Sequence, residues 1–152
     1  MPHVAPVTTA HLDPWLPFEE HGGADPPRVY LFGWALHHHR LLGLTWIRSS
    51  FVVSLDEGAN RASTVSGSRY ALGRRLTSLD ELCAEGRAAW NALVLGGASE
   101  LERRWIAARK AARWLGIPPP PLDGDAVDDF VARHGGDYLA LTAALAGRRG
   151  TA

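Results

Sequence analysis

The sequence predicts an α+β protein: a small sheet of about five strands, followed by about three to four helices. Three observations carry this expectation. Between Arg28 and Gly73, short runs of aromatic and β-branched residues alternate with Gly, Asn, Asp and Ser. Beyond Gly73 the apolar period lengthens to about 3.6, and helix-start signals stand at Ser78 and Ser99. The chain has 152 residues, 46% hydrophobic and 21% charged, enough for a core of its own in a soluble globular protein.

Residues 1–27 are proline-rich with little periodicity and read as an extended arm. Trp15, Leu16 and Phe18 are the apolar anchors that pin the arm to the body, since such a cluster left exposed invites aggregation. Residues 28–75 are the β unit. The runs VYLFGWAL, LTWIRS, SFVVSLD, RASTVS and SRYALG read as its strands, with a turn at Asp56-Glu57-Gly58-Ala59-Asn60. A small antiparallel sheet or a partly open SH3-like barrel fits this spacing, and so thin a sheet needs cover on its open face.

Residues 76–152 are the helical region, expected to pack on the sheet so that the whole is one compact domain. Ser78-Leu79-Asp80-Glu81 is a capping box, and apolar residues from Leu79 to Val94 follow at helical spacing up to Gly96-Gly97. Ser99-Glu100-Leu101-Glu102 is a second box, opening a helix that Gly116 stops. Four prolines from Pro118 form a stiff spacer. Asp123 or Asp125 caps a third helix running through His134, and YLALTAALAG makes a short fourth.

Net charge is zero but unevenly spread: −4 over residues 1–27, +5 over 28–75, +1 over 76–115 and −2 beyond. A basic middle between acidic flanks marks either an anion-binding face or a solvated surface neutralised by its own ends. Of the basic residues only Lys110 is a lysine, a usage that fits a GC-rich bacterial genome. The single cysteine, Cys83, forms no internal disulfide and fits a reducing compartment. With no apolar run long enough to span a bilayer and no secretory start in MPHVAPVTTAHLDPW, the expected location is cytoplasmic, with no membrane partner.

Residues 32–73 resemble small bacterial domains of uncharacterised function. These share a glycine in the first strand, a histidine before a turn, a polar pair opening a strand, a Leu-Asp turn and a Thr-x-Ser…Tyr-x-Leu-Gly ending. The matching positions are Gly33, His38 or His39, Ser49-Ser50, Leu55-Asp56, Thr64, Ser66, Tyr70, Leu72 and Gly73. The resemblance implies no particular activity.

Several groups of residues bear chemistry. His37 and His39 would share one face of a strand, half of a zinc site whose other ligands must come from Asp56, Glu57, His11, His21, His134 or Cys83. No HExxH or Cys-x-x-Cys spacing supports a metal, so a hairpin turn is the favoured reading of the His37–His39 triplet. Ser66-Gly67-Ser68 offers a turn whose amides, with Arg69, form an anion nest. No Gly-x-Ser-x-Gly elbow surrounds these serines, and apolar neighbours suggest that Cys83 is buried rather than nucleophilic.

Arg40, Arg48, Arg61, Arg69, Arg74 and Arg75 share the β unit with Trp34, Trp46 and Tyr70, the ingredients of a single-strand platform. The second helix, ERRWIAARKAARW, is a further phosphate-contact candidate. The leading expectation is a non-enzymatic binding or regulatory protein that acts by protein–protein contact and needs no cofactor. Phage and mobile-element accessory proteins, including inhibitors of host defence complexes, share its size and lack of catalytic motifs. The first alternative is a nucleic-acid-binding module, and the second a small metal-dependent enzyme at His37–His39. Expected binding residues are Arg109, Arg113, Trp114, Arg69 and Arg74. Trp105 and Trp114, nine positions apart on one helix, face opposite ways, and Trp114 is the one expected to be more exposed.

Overall fold

The computed structural model describes residues 8–20, 27–38 and 45–136. The chain forms two compact units, Met1–Val94 and Leu95–Ala152. The sequence divides sheet from helices at 75/76, but the first helical turns belong with the sheet. Strands precede helices, as the α+β expectation requires.

Among the described residues the first unit holds a six-stranded sheet in the order β3-β2-β1-β6-β5-β4. Its strands are β1 (Ala10–Glu19), β2 (Val29–His38), β3 (Thr45–Arg48), β4 (Val52–Asp56), β5 (Arg61–Thr64) and β6 (Arg69–Leu72). The five strands read from the sequence are β2 to β6. The additional one comes from the segment read as an arm: β1 lies at the centre, antiparallel to β2 and parallel to β6, so the sheet is mixed rather than antiparallel.

Residues 49–51 join β3 to β4, the two outer strands of this order. In a flat sheet those edges would stand about 24 Å apart, whereas so short a link spans at most about 14 Å. The sheet must therefore curl. Ser49 leaves along β2, its amide donating to the Leu31 carbonyl (2.8 Å), and Phe51 arrives beside the β5–β6 turn, accepting from the Val65 amide (2.9 Å). β3 and β4 share no ladder, so the curled sheet is not a closed barrel.

The inside of the curl is the core: Ala10, Leu12, Trp15, Leu31, Ala35, Ile47, Ala62, Tyr70 and Leu72. The outer side of β2 and β3 is aromatic. Phe32 stacks on Trp46 at 5.4 Å, Trp34 meets Trp46 edge-on at 5.1 Å, and Phe18 stacks on Tyr30 at 5.5 Å. Helix α1 (Ala84–Trp90) covers this layer, with Trp90 edge-on to both Phe18 and Phe32. Two buried faces explain why VYLFGWAL reads as an almost unbroken apolar run.

Gly33 on β2 lies close against the backbone of β1. A Cβ there would stand 2.7 Å from the Pro14 carbonyl oxygen and 3.1 Å from the Cα of Trp15. Both are backbone atoms of a central strand, so the ladder itself would have to move. Gly33→Ala should cost about 1–3 kcal/mol in urea unfolding, as overpacking does, and a loss under about 0.5 kcal/mol would contradict this contact.

The capping box at Ser78 is present but closes only one 3₁₀ turn, Leu79–Glu81. Backbone N–H groups of Thr77 and then Ser78 bind the Glu81 carboxylate and hold its pKa below the ordinary glutamate value. Leu82 then turns extended (ψ 139°) with its side chain buried, and α1 starts afresh behind Cys83. Cys83 is exposed, not buried, because its sulfur caps the helix by accepting from the Gly86 amide at 3.4 Å.

In the second unit, α2 (Glu100–Leu115) begins at the Ser99 capping box and stops at Gly116, whose φ of 70° suits glycine. Helix α3 spans 124–136 behind Asp123, which accepts from the Ala126 amide at 3.0 Å. Ala108, Ala111, Ala112 and Phe130 pack together between these helices, with Ile117 against them. The proline segment is tied to α2 rather than standing off as a spacer: Pro120 accepts from the Trp105 indole N–H at 3.0 Å. The expected fourth helix lies outside the described residues.

Candidate binding groove

The outer side of the sheet changes character across β1. On β6 and β5, Tyr70, Leu72, Ala62 and Thr64 point into the core, which leaves Arg69, Ala71, Arg61 and Ser63 on the outside. Cα pairing aligns His11, Ala71, Arg61 and Asp56 in one row across β1, β6, β5 and β4. A second row runs Arg69, Ser63, Ser54. Small residues thus form the floor and long ones the walls. The result is an open groove of about 570 Å³ lined by His11, Ser54, Asp56, Arg61, Ser63 and Arg69, among others.

Arg61 and Arg69 sit diagonally on adjacent strands, since Ser63 pairs with Arg69 and Arg61 with Ala71. Among the described residues, neither guanidinium has a carboxylate within ion-pair distance. Asp56, the one acid of the groove, turns an oxygen to the Ala59 amide (3.0 Å) and so holds the β4–β5 turn.

The other β-unit cations serve the fold. Arg48 lies over the Tyr30 ring at 4.7 Å and 3.6 Å from Glu20, while Arg75 donates to Glu57 at 2.6 Å and lies over Trp15. Arg28 covers Phe51 at 4.8 Å. Arg74 is exposed but does not line the groove, and Arg40 lies outside the described residues.

Arg69 and Arg74 belong to the first unit, whereas Arg109, Arg113 and Trp114 stand on α2 in the second. There Arg109 lies over the Trp105 ring at 5.2 Å and Lys110 over the Trp114 ring at 4.7 Å, with Trp114 half-buried. Arg104 pairs with Asp128.

Tyr70 is core, and Trp46 is held by Phe32 and by the buried Glu85, which accepts its indole N–H at 2.9 Å. The rings proposed as a stacking platform are therefore packed within the fold or, for Trp34, half-buried against Trp46.

At the β5–β6 turn the Gly67 amide donates to Thr64 (2.9 Å), so it is spent within the turn rather than offered to an anion nest. The hydroxyls form a chain: Ser66 lies 2.7 Å from Ser50, 3.2 Å from Thr64 and 3.4 Å from Ser68. His39 lies outside the described residues, and of His37 only the backbone is described, opposite His11 in the ladder. Among the described residues no three His, Cys, Asp or Glu side chains converge as a metal site.

Sequence reasoning names Arg61 beside Arg69 in the arginine set of the β unit, but of the two only Arg69 is among the expected binding residues, and His11 is considered only as a metal ligand. The signal for Arg61 was present, since RAST and RYAL alternate in phase about one hairpin turn. His11 could not be placed without β1. No helix among the described residues is long and apolar enough to cross a membrane. No protein-family model, curated protein or solved structure matches the chain.

Proposed function

We propose that this protein is a binding protein that acts by protein–protein contact, with the groove over β4, β5, β6 and β1 as its contact surface. One observation carries the reading: Arg61 and Arg69 face the same open groove, with no carboxylate paired to either among the described residues. Two arginines against the one acid of the lining, Asp56, leave the groove net positive, which attracts an acidic partner. The other cations of the β unit whose partners are described support aromatic rings or bind acids of the fold. A nucleic-acid partner is less well served, because among the described residues the groove lining includes no Trp or Phe, its Tyr70 ring is buried, and its exposed ring is the small imidazole of His11.

The test is capture from nuclease-treated cell extract by the wild-type protein and by the Arg61→Glu/Arg69→Glu double variant. A protein retained by the wild type and lost by the folded double variant is the expected result. Retention unchanged by the charge reversal, or recovery that disappears with nuclease, would overturn the reading.

A further inference from the structure

We infer that the partner meets the groove with an extended acidic segment whose carboxylates occur at alternate positions, as in Glu-x-Glu. This rests on the groove being the contact surface and adds the chemistry of what it holds. Arg61 and Arg69 are diagonal neighbours, which in a sheet stand about 7–8 Å apart, somewhat less at Cβ. Alternate side chains of an extended strand repeat on one face at about 7 Å, so two carboxylates two residues apart reach both guanidinium groups together. Adjacent acids point to opposite faces and present only one. Acids one helical turn apart are about 5–6 Å from each other, and a helix is too wide to bring its backbone down to a floor of Ala71, Ser63 and Ser54.

The floor also suits carboxylates chemically. Each oxygen accepts several hydrogen bonds, and Ser54 and Ser63, in the same row as Arg69, line the same groove with hydroxyls able to donate. The groove is open and shallow, as an extended chain requires, and its small floor residues let a peptide backbone lie close to the sheet. Asp56, the cross-strand partner of Arg61 on the β4 side, repels a carboxylate there, so the acidic pair is positioned on the β6 side of Arg61, along the diagonal to Arg69.

Fluorescence anisotropy of the full chain with labelled peptides tests this. The probes are Ser-Ser-Glu-Ser-Glu-Ser-Ser, its isomer Ser-Ser-Glu-Glu-Ser-Ser-Ser, the Gln-for-Glu analogue of the first, and a single-stranded oligothymidylate. The alternating peptide should bind about tenfold more tightly than the adjacent one, and added salt should weaken it, because both charges are exposed. Arg69→Glu should weaken it about tenfold, and Arg69→Gln, which perturbs the strand least, should weaken it in the same direction. Arg103→Glu, on α2, should leave it unchanged.

Equal binding of the two acidic peptides, or of the neutral one, would overturn the inference even if capture from extract still depends on Arg61 and Arg69. No binding of any peptide would overturn it as well. Tight oligothymidylate binding abolished by Arg69→Glu would overturn both the inference and the protein-partner reading.

Discussion

Trp15→Ala should remove about 3–5 kcal/mol of stability, the cost of truncating a buried aromatic to a cavity. Trp15 is 2% exposed and belongs to the core inside the curl. It also ties β1 to the stretch that follows β6 through three hydrogen bonds. Its indole N–H donates to the Gly73 carbonyl (3.0 Å), its amide donates to Arg74 (3.0 Å), and its carbonyl accepts from Leu76 (2.7 Å). Ring burial and the indole bond can be separated. Trp15→Phe keeps most of the apolar volume but leaves the Gly73 carbonyl without that donor, so a loss of about 1–2 kcal/mol is expected. Since whole domains are stable by only about 5–15 kcal/mol, the alanine variant should be largely unfolded in mild urea. A midpoint for Trp15→Ala within about 1 kcal/mol of wild type, at unchanged m-value, would show that β1 is not anchored there.

The same strand shows where sequence reasoning stops. Strands β2 to β6 were legible because alternation and turn residues bound each of them, and the capping boxes at Ser78 and Ser99 both close in the structure. β1 was not, because Pro14 and Pro17 argue against a central strand: proline has no N–H to give a ladder. The structure admits them by position. Pro14 falls in the irregularity between Leu12 and Trp15 where the β1–β2 register shifts. Pairing to β6 ends at Leu12, so Pro17 lies where β1 no longer has β6 beside it. Only the tertiary arrangement makes both prolines harmless. The groove inherits this limit, since one wall is His11 on β1. Its other wall was half visible: Arg69 was picked out, but its pairing with Arg61 depends on the β5–β6 register, which sequence alone leaves open by one residue. The expected binding residues are chosen by residue type: Arg69 and Arg74 stand in the first unit, and Arg109, Arg113 and Trp114 in the second.

In the second unit, Trp105→Ala should cost about 3–5 kcal/mol and Trp114→Ala less than half as much. The two tryptophans are nine positions apart on α2, about 180° around the helix. The buried residues of that helix are Trp105, Ala108, Ala111 and Ala112, spaced at three, six and seven from the first, so Trp105 lies on the buried side and Trp114 opposite. Trp105 is 4% exposed, and its indole N–H holds the Pro120 carbonyl, fastening the proline segment to α2. Three alanines on this face leave little side-chain volume to refill a cavity, so collapse around the missing ring should be poor. Trp105→Phe should lose about 1–2 kcal/mol by leaving the Pro120 carbonyl without its donor. Trp114 is half-buried beneath the Lys110 ammonium, with its indole nitrogen covered but part of its ring exposed, so its truncation removes less buried apolar area. Urea unfolding of the three variants, followed by far-UV circular dichroism, reads these differences directly. If Trp114→Ala were as damaging as Trp105→Ala, α2 would have to bury both of its faces, and the one-sided packing of this helix would be wrong.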